Sequence, residues 1–347
     1  MTGMIKTLSM VDSVQWDSYV KQHPKGTFYH LSGWKEAIEF ALDHRCYYLY
    51  VTQDEQIKAV LPLVLLDSVL FGRSLVSTPF CIHGGVLADE ECYQAQLIEF
   101  TKTLANELNV EFVEFRIADS MDSERFGLAT PAQESHALFG CEIANSDEAI
   151  LASIKKKQRA VIRQSMKSNL SYKIEDNIDN LFDIYSQSVR NLGSPVFSKK
   201  FLQRLFENFS KQCDVLTVYS GARPVSSVMS FYYHGQVIPH YGGGTVAARD
   251  LKSNDFMYYQ LMCHARHKGC HYFDFGRSKV DSGAYKYKKH WGMKPTPMVY
   301  QFYLNNGGAL PQRNPNNPKY ALVINLWKRL PLKASQVFGP MLSKYLG

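Results

Sequence analysis

No stretch of this 347-residue sequence gathers the roughly 18 consecutive apolar residues that a membrane span requires. Its first residues lack the charged-then-apolar pattern of a secretory leader. The expectation is a soluble chain, at most held at a membrane surface. Its 7 cysteines, at positions 46, 81, 92, 141, 213, 263 and 270, are odd in number and never spaced as Cys-x-x-Cys. Neither a disulfide framework nor a zinc cluster is indicated, and a reducing cytoplasm fits. Metal ligation finds no support: His264, His267 and His271 lie close in sequence, but no paired carboxylates accompany them, and Arg266 and Lys268 would repel a cation. An acidic solvating tail is also missing, since Lys and Arg outnumber Asp and Glu by 39 to 32.

The composition that remains, 45% hydrophobic and 20% charged, belongs to a folded chain, and its length favours two domains. The order of elements repeats. Helix 32–42, strand 47–51, a turn at Asp54-Glu55, strand 59–65, a Gly/Pro-rich stretch 71–85, helix 92–108 and strand 111–115 make the first half. The second runs helix 199–209, strand 215–219, a turn at Ser220-Gly221, strands 225–233 and 237–241, helix 255–267 and strand 271–275. Corresponding elements are offset by about 160 residues, which predicts an α+β tandem of mixed, mostly antiparallel sheets flanked by helices. The expected divisions are a first domain over 1–149, a second over 150–305 and a linker with an amphipathic segment over 306–347.

Charge is unevenly distributed along the chain. Residues 151–173 carry Lys155, Lys156, Lys157, Arg159, Arg163, Lys167 and Lys173 with no acid. Residues 276–294 carry Arg277, Lys279, Lys286, Lys288, Lys289 and Lys294 against Asp281 alone. These two segments hold more positive charge than the net +7 of the whole chain, so the remainder is acidic and the surplus marks a focused anion site. Residues 150–170 read as one amphipathic helix, with Ile150, Leu151, Ile154, Val161 and Ile162 opposite Lys156, Arg159, Arg163 and Lys167. A solvated helix face is the ordinary alternative for it. In 276–294 the lysines interleave with Tyr285, Tyr287 and Trp291, an alternation suited to stacking and phosphate contact.

The string from Ile154 to Arg163, with Lys167 and Leu170 to Ile174 beyond it, resembles the inter-repeat helix of FemAB-type peptidyltransferases. Tyr272-Phe273-Asp274-Phe275-Gly276-Arg277 and Gly283-Ala284-Tyr285-Lys286-Tyr287-Lys288-Lys289-His290-Trp291-Gly292 resemble that family's second motif. The likeness is strongest to the FemAB-like branch associated with exosortase and PEP-CTERM systems in Gram-negative bacteria. It implies tandem GNAT (acyl-CoA N-acyltransferase-like) folds with the main cleft in the second, and acyl transfer to an amine of a cell-envelope precursor of peptidoglycan or exopolysaccharide type. No cofactor would be permanently bound; the donor would be aminoacyl-tRNA or acyl-CoA, and no DNA partner is implied.

Transferred by position, the resemblance makes Lys288 the cation that stabilises developing negative charge and Tyr287 its aromatic neighbour. Arg277 suits a phosphate or carboxylate. Lys286, Tyr285, Trp291, Arg163 and Arg159 join it as substrate-binding candidates, with a core role open for Tyr285. His240 and Tyr241 end a strand where GNAT folds splay, His240 being equally readable as an ordinary strand-end histidine. CoA-using GNAT domains carry Gln/Arg-x-x-Gly-x-Gly/Ala before the long helix, where backbone amides cradle a pyrophosphate. Here residues 247–255 contain no glycine; Ser253, Asn254 and Asp255 form a helix cap, Asn254 is a substrate-site candidate, and Asp255 would repel a pyrophosphate. In the first repeat Ile38 stands where the family has a phosphate-binding lysine, and Asp89 is an acceptor-site candidate.

An acetyl-CoA-dependent N-acetyltransferase and a noncatalytic tRNA- or polyanion-binding module are the competing readings. The carboxy-terminal segment, with Tyr320, Val323, Ile324, Trp327 and Leu330 at helical spacing and Lys328 and Arg329 nearby, is expected to pack on the first domain. Peripheral contact with the inner face of the cytoplasmic membrane is the alternative.

Overall fold

The structure is a computed structural model describing residues 3–69, 71–117, 120–131, 136–307, 310 and 318–346. It contains two 7-stranded mixed sheets, each the centre of its own compact unit. The first unit takes Met1–Ser135, Met298–Arg313 and Lys344–Gly347, and the second His136–Pro297 and Asn314–Ser343.

This division differs from the 1–149, 150–305 and 306–347 expected from sequence. Strand His136–Glu142 pairs antiparallel with Tyr272–Lys279 and so belongs to the second sheet. Strand Gln301–Leu304 pairs with Phe112–Phe115 and closes the first sheet. Strand partnership is set by distant segments, and composition along the chain does not record it. Much of the expected linker, 311–317, lies outside the described residues. The helices after it, Pro318–Arg329 and Leu332–Ser343, group with the second unit rather than the first, through the helix Asp179–Leu192.

In the second unit, antiparallel strands Cys213–Ser220, Arg223–Tyr233 and Gln236–Gly244 lead to a parallel neighbour, Tyr272–Lys279. The crossover between the last two is the helix Ser253–His267. Val218, Val228, Val237, Phe273 and Phe275 line the face of the sheet that shares a core with Met257, Leu261 and Met262 of this helix. The basic run is not one helix. Asp147–Ser153, capped by Ser146 Oγ, ends where Ile154 and Lys155 turn extended, and a second helix runs Lys156–Ser165. Ile150, Ile154 and Ile162 still enter one core, so the apolar periodicity holds while the helix it implies is broken between them.

Candidate active site

The parallel pairing of Gln236–Gly244 with Tyr272–Lys279 covers only Gln236↔Tyr272 and Val237↔Phe273. Beyond it each strand carries a bulge. Met229 faces Tyr241 and Ser230 faces Pro239, so His240 is the extra residue of the first strand. On the second, the register shifts between Asp274 and Gly276, where Gly276 takes φ +69° and its N–H donates to Asp274 Oδ1 at 2.8 Å. Bulges bend strands and redirect backbone groups, so each strand leaves its regular ladder beside the opening.

Lys288 lies against the second bulge. The helix Gly283–Trp291, capped by Ser282 Oγ, places its Nζ 3.2 Å from the Gly276 carbonyl and 3.0 Å from the Arg277 carbonyl, both accepting. Phe275 and Phe139 lie beneath the ammonium, with ring centroids at 5.2 and 5.7 Å. Only 8% of the residue is exposed. Burial lowers its pKa from 10.5 to about 8; Asp274 opposes that shift and Arg277 adds to it. A lysine ammonium has three donors. Two are used here, which leaves one for a ligand.

Tyr287, one residue earlier, points elsewhere. Its hydroxyl donates to Asp255 Oδ1 at 2.8 Å, and Gln158 Nε2 donates to the same oxygen at 2.6 Å. Burial raises the pKa of Asp255, and burial with the nearby carboxylate holds the Tyr287 hydroxyl well above its ordinary range. The expected partner of Lys288 in catalysis therefore has its proton engaged in a buried network. That network joins three elements: the basic helix through Gln158, the first turn of Ser253–His267 through Asp255, and the lysine helix through Tyr287. A further tie runs from Lys155 Nζ to the Lys289 carbonyl at 3.0 Å. The two basic segments, more than a hundred residues apart in sequence, thus form one region of the second unit. On it Lys156, Lys157, Arg163, Lys167, Lys286 and Lys294 are exposed, and among the described residues none of them enters an ion pair.

The remaining candidates divide. Arg277 is half-buried beside Lys288. Arg159 is half-buried with its Nε unpartnered, and Asn254 Oδ1 is also unpartnered, 2.7 Å from where a side chain at Gly244 would begin. Only glycine fits at 244. Tyr285 packs edge-on against Phe139 at 5.2 Å and carries Lys289 over its ring. Trp291, 3% exposed, packs against Tyr258, Phe275 and Tyr287, which makes it a core residue and corrects the expectation of substrate contact. Tyr241 likewise is buried, its ring against Tyr185 and Phe197, away from the core cluster that supports Lys288. His240 meets Phe231 and Tyr241 at the bulge. Asp89 lies in the first unit, exposed and bonded by Tyr19 at 3.0 Å with Lys58 at 3.8 Å. Gln158 and Asp255 as a buried pair escape sequence reading, because a Gln inside a lysine run and an Asp at a helix start each have an ordinary local explanation. Among the described residues no group of His, Cys, Asp and Glu could hold a metal ion.

In the first unit the equivalent strand pair is Gly72–Ser77 with Phe112–Phe115, parallel over Ser74↔Phe112 to Val76↔Glu114. Past that point its opening is filled. Arg116 N donates to Ser77 Oγ at 2.7 Å, Gly84 N donates to Arg116 O at 2.7 Å, and the Arg116 side chain pairs with Glu114 at 2.7 Å and reaches the Cys81 carbonyl at 3.3 Å. Residues 78–85 act as a plug.

Residues 155–289 match the family described as Acetyltransferase (GNAT) domain. The chain has a tandem GNAT fold. A structure of FemX aligns over 87% of this chain and 98% of its own with a TM-score of 0.69 at 13% identity. A tandem GNAT protein from the clavulanic acid biosynthesis pathway aligns over 87% and 98% with a TM-score of 0.56 at 10% identity. L-PGS from Bacillus licheniformis aligns over 86% and 96% at 0.53 and 16%. No curated protein matches in sequence. In this tandem GNAT fold the splayed, unplugged strand pair and the buried lysine both belong to the second repeat.

Proposed function

We propose that the second GNAT unit transfers an aminoacyl or related acyl group from an ester donor to an amine of a cell-envelope precursor. The observation that carries this reading is Lys288: a buried ammonium fixed by two carbonyls at the bulged strand, with one donor left over. Aminolysis of an ester needs that group. As the neutral amine bonds to the carbonyl carbon, the π pair moves onto oxygen, and a preorganised N–H donor in a dry site stabilises the oxyanion. Collapse restores the carbonyl and breaks the bond to the alkoxy oxygen, which leaves as a hydroxyl carrying the proton lost by the attacking nitrogen.

The donor side follows from Asp255. In a CoA-binding GNAT domain the start of the crossover helix meets a pyrophosphate. Here the first turn of Ser253–His267 holds a carboxylate of the chain itself, covered by Gln158 and Tyr287. A pyrophosphate dianion at this place would meet that negative charge, which favours an ester such as aminoacyl-tRNA. The unpaired lysines of the basic region suit a polyanion of that kind. On the acceptor side, Ile38 is fully buried and Lys35 is paired to Glu39 at 2.8 Å, so the first unit lacks the phosphate lysine of the muropeptide-using pattern. An amino sugar of an exopolysaccharide precursor is favoured equally with a muropeptide.

The test is a single-turnover assay with labelled aminoacyl-tRNAs and an amine-bearing precursor, alongside thermal unfolding with CoA at about 1 mM. Consumption of a charged tRNA without stabilisation by CoA is expected. Stabilisation by CoA with acetyl transfer would overturn the donor, and RNA retention without any turnover would mark a binding module.

The rate should also depend on pH through Lys288. With its pKa near 8 the ammonium is lost above that pH, so kcat is expected to decline on an alkaline limb near pH 8, and Lys288→Arg should move the limb upward. An unchanged limb in the variant would remove Lys288 from the titration. The same shift predicts the sign for stability: between about 8 and 10.5 the unfolded chain binds the extra proton, so this group's contribution to stability rises with pH over that window.

A further inference from the structure

The helix Leu332–Ser343 is packed inside out. Its inward face carries Ser335, Gly339 and Ser343, with Ser335 1% and Ser343 2% exposed. A side chain at Gly339 would meet the Val196 backbone N and O at 3.0 Å, so the helix sits close against the segment it covers. Val337, Phe338 and Met341 point the other way, at 65%, 54% and 63% exposure. A helix adapted only to water places its large apolar residues inward and its serines outward. The preceding helix, Pro318–Arg329, likewise leaves Val323 and Leu326 exposed, while Trp327 Nε1 is spent on the Ser194 carbonyl at 3.1 Å. The pair is firmly seated: Arg190 donates to the Leu330 carbonyl at 3.1 Å and Gln336 to Asp183 at 3.2 Å. Fraying of a loose tail does not account for the exposure.

Charge identifies what covers these side chains. Residues 318–347 contain Lys319, Lys328, Arg329, Lys333 and Lys344 and no Asp or Glu. Exposed apolar side chains on a segment whose own charges are all cationic fit an anionic bilayer surface, where the side chains enter the acyl boundary and the lysines meet phosphate headgroups, although the neighbouring helix brings one exposed carboxylate, Asp183, to Gln336. A second copy of the chain would set the same cations against each other, which disfavours a dimer through this face. We propose that the two carboxy-terminal helices dock the protein on an anionic lipid surface, lying in its plane. Among the described residues no helix is long and apolar enough to cross a membrane. This docking is independent of the acyl-transfer reading, and its test needs no substrate.

Flotation of the full chain with phosphatidylcholine vesicles, with and without about one-third phosphatidylglycerol, decides it. Binding is expected only to the anionic vesicles and is expected to weaken at high salt. The triple variant Val337→Ser, Phe338→Ser, Met341→Ser should lose at least about tenfold in partitioning, and Lys328→Glu with Lys333→Glu should do the same, both with thermal midpoints unchanged because the sites are exposed. Equal flotation of wild type and variants, or equal binding to uncharged vesicles, would overturn the proposal. So would a dimer in sedimentation that the triple variant abolishes, since a second copy would then be the occupant.

Discussion

Lys288→Met is expected to slow acyl transfer about 10²–10³-fold while leaving the fold intact, the loss typical of removing one preorganised oxyanion donor. Methionine keeps the length and apolar stem that pack over Phe275 and Phe139, and it removes the charge whose burial is unfavourable. The two carbonyls that Lys288 caps lie on a strand that retains its antiparallel partner His136–Glu142, so the cost to folding should be small. Circular dichroism and the thermal midpoint report the fold, and single-turnover transfer reports the chemistry. A folded Lys288→Met protein with near-normal turnover would place the oxyanion donor elsewhere, with Arg277, whose charge acts on Lys288, the next candidate. Loss of turnover with KM unchanged would match a donor used in the transition state alone.

Lys288 stands out in the amino-acid sequence because its signal is local. The strand, the glycine after it and the aromatic-lysine alternation all lie within some twenty residues, and they resemble a known pattern. The tandem architecture is legible for a similar reason, since each repeat carries its own succession of helix, hairpin and crossover. What sequence does not show depends on distant pairing. Asp255 and Tyr287 meet across two elements, and Gln158 joins them from a third. The break at Ile154 and Lys155 is hidden because apolar periodicity continues through it; an extended pair of residues preserves which side chains face inward without preserving the helix. Trp291 misleads because an aromatic among lysines looks like a stacking platform, whereas its helix turns it under Tyr287 into the core. The helix Pro318–Arg329 is recognisable as amphipathic, whereas Leu332–Ser343 buries its small face, which hydrophobic periodicity alone reverses.

The first unit yields the largest expected effect on stability. Arg116 and Glu114 form an ion pair at 2.7 Å with side chains only 2% and 4% exposed, in the place where the second unit keeps its strands open. Arg116 also holds the Cys81 carbonyl and lies over the Tyr300 ring, whose hydroxyl donates to the Ile82 carbonyl at 2.7 Å. One guanidinium therefore ties the plug of residues 78–85 to the strand Phe112–Phe115. Removing it leaves a buried carboxylate without a counter-charge, so Arg116→Met alone is expected to cost about 3–5 kcal/mol. Pairing it with Glu114→Gln should recover most of that loss, because the same geometry then contains no unpaired charge. Urea unfolding of the two variants measures the difference, and amide exchange over residues 78–85 shows whether the plug loosens first. A loss below about 1 kcal/mol for Arg116→Met, within the range of exposed pairs, would mean that water reaches Glu114 and that the first repeat's opening is not closed by this pair.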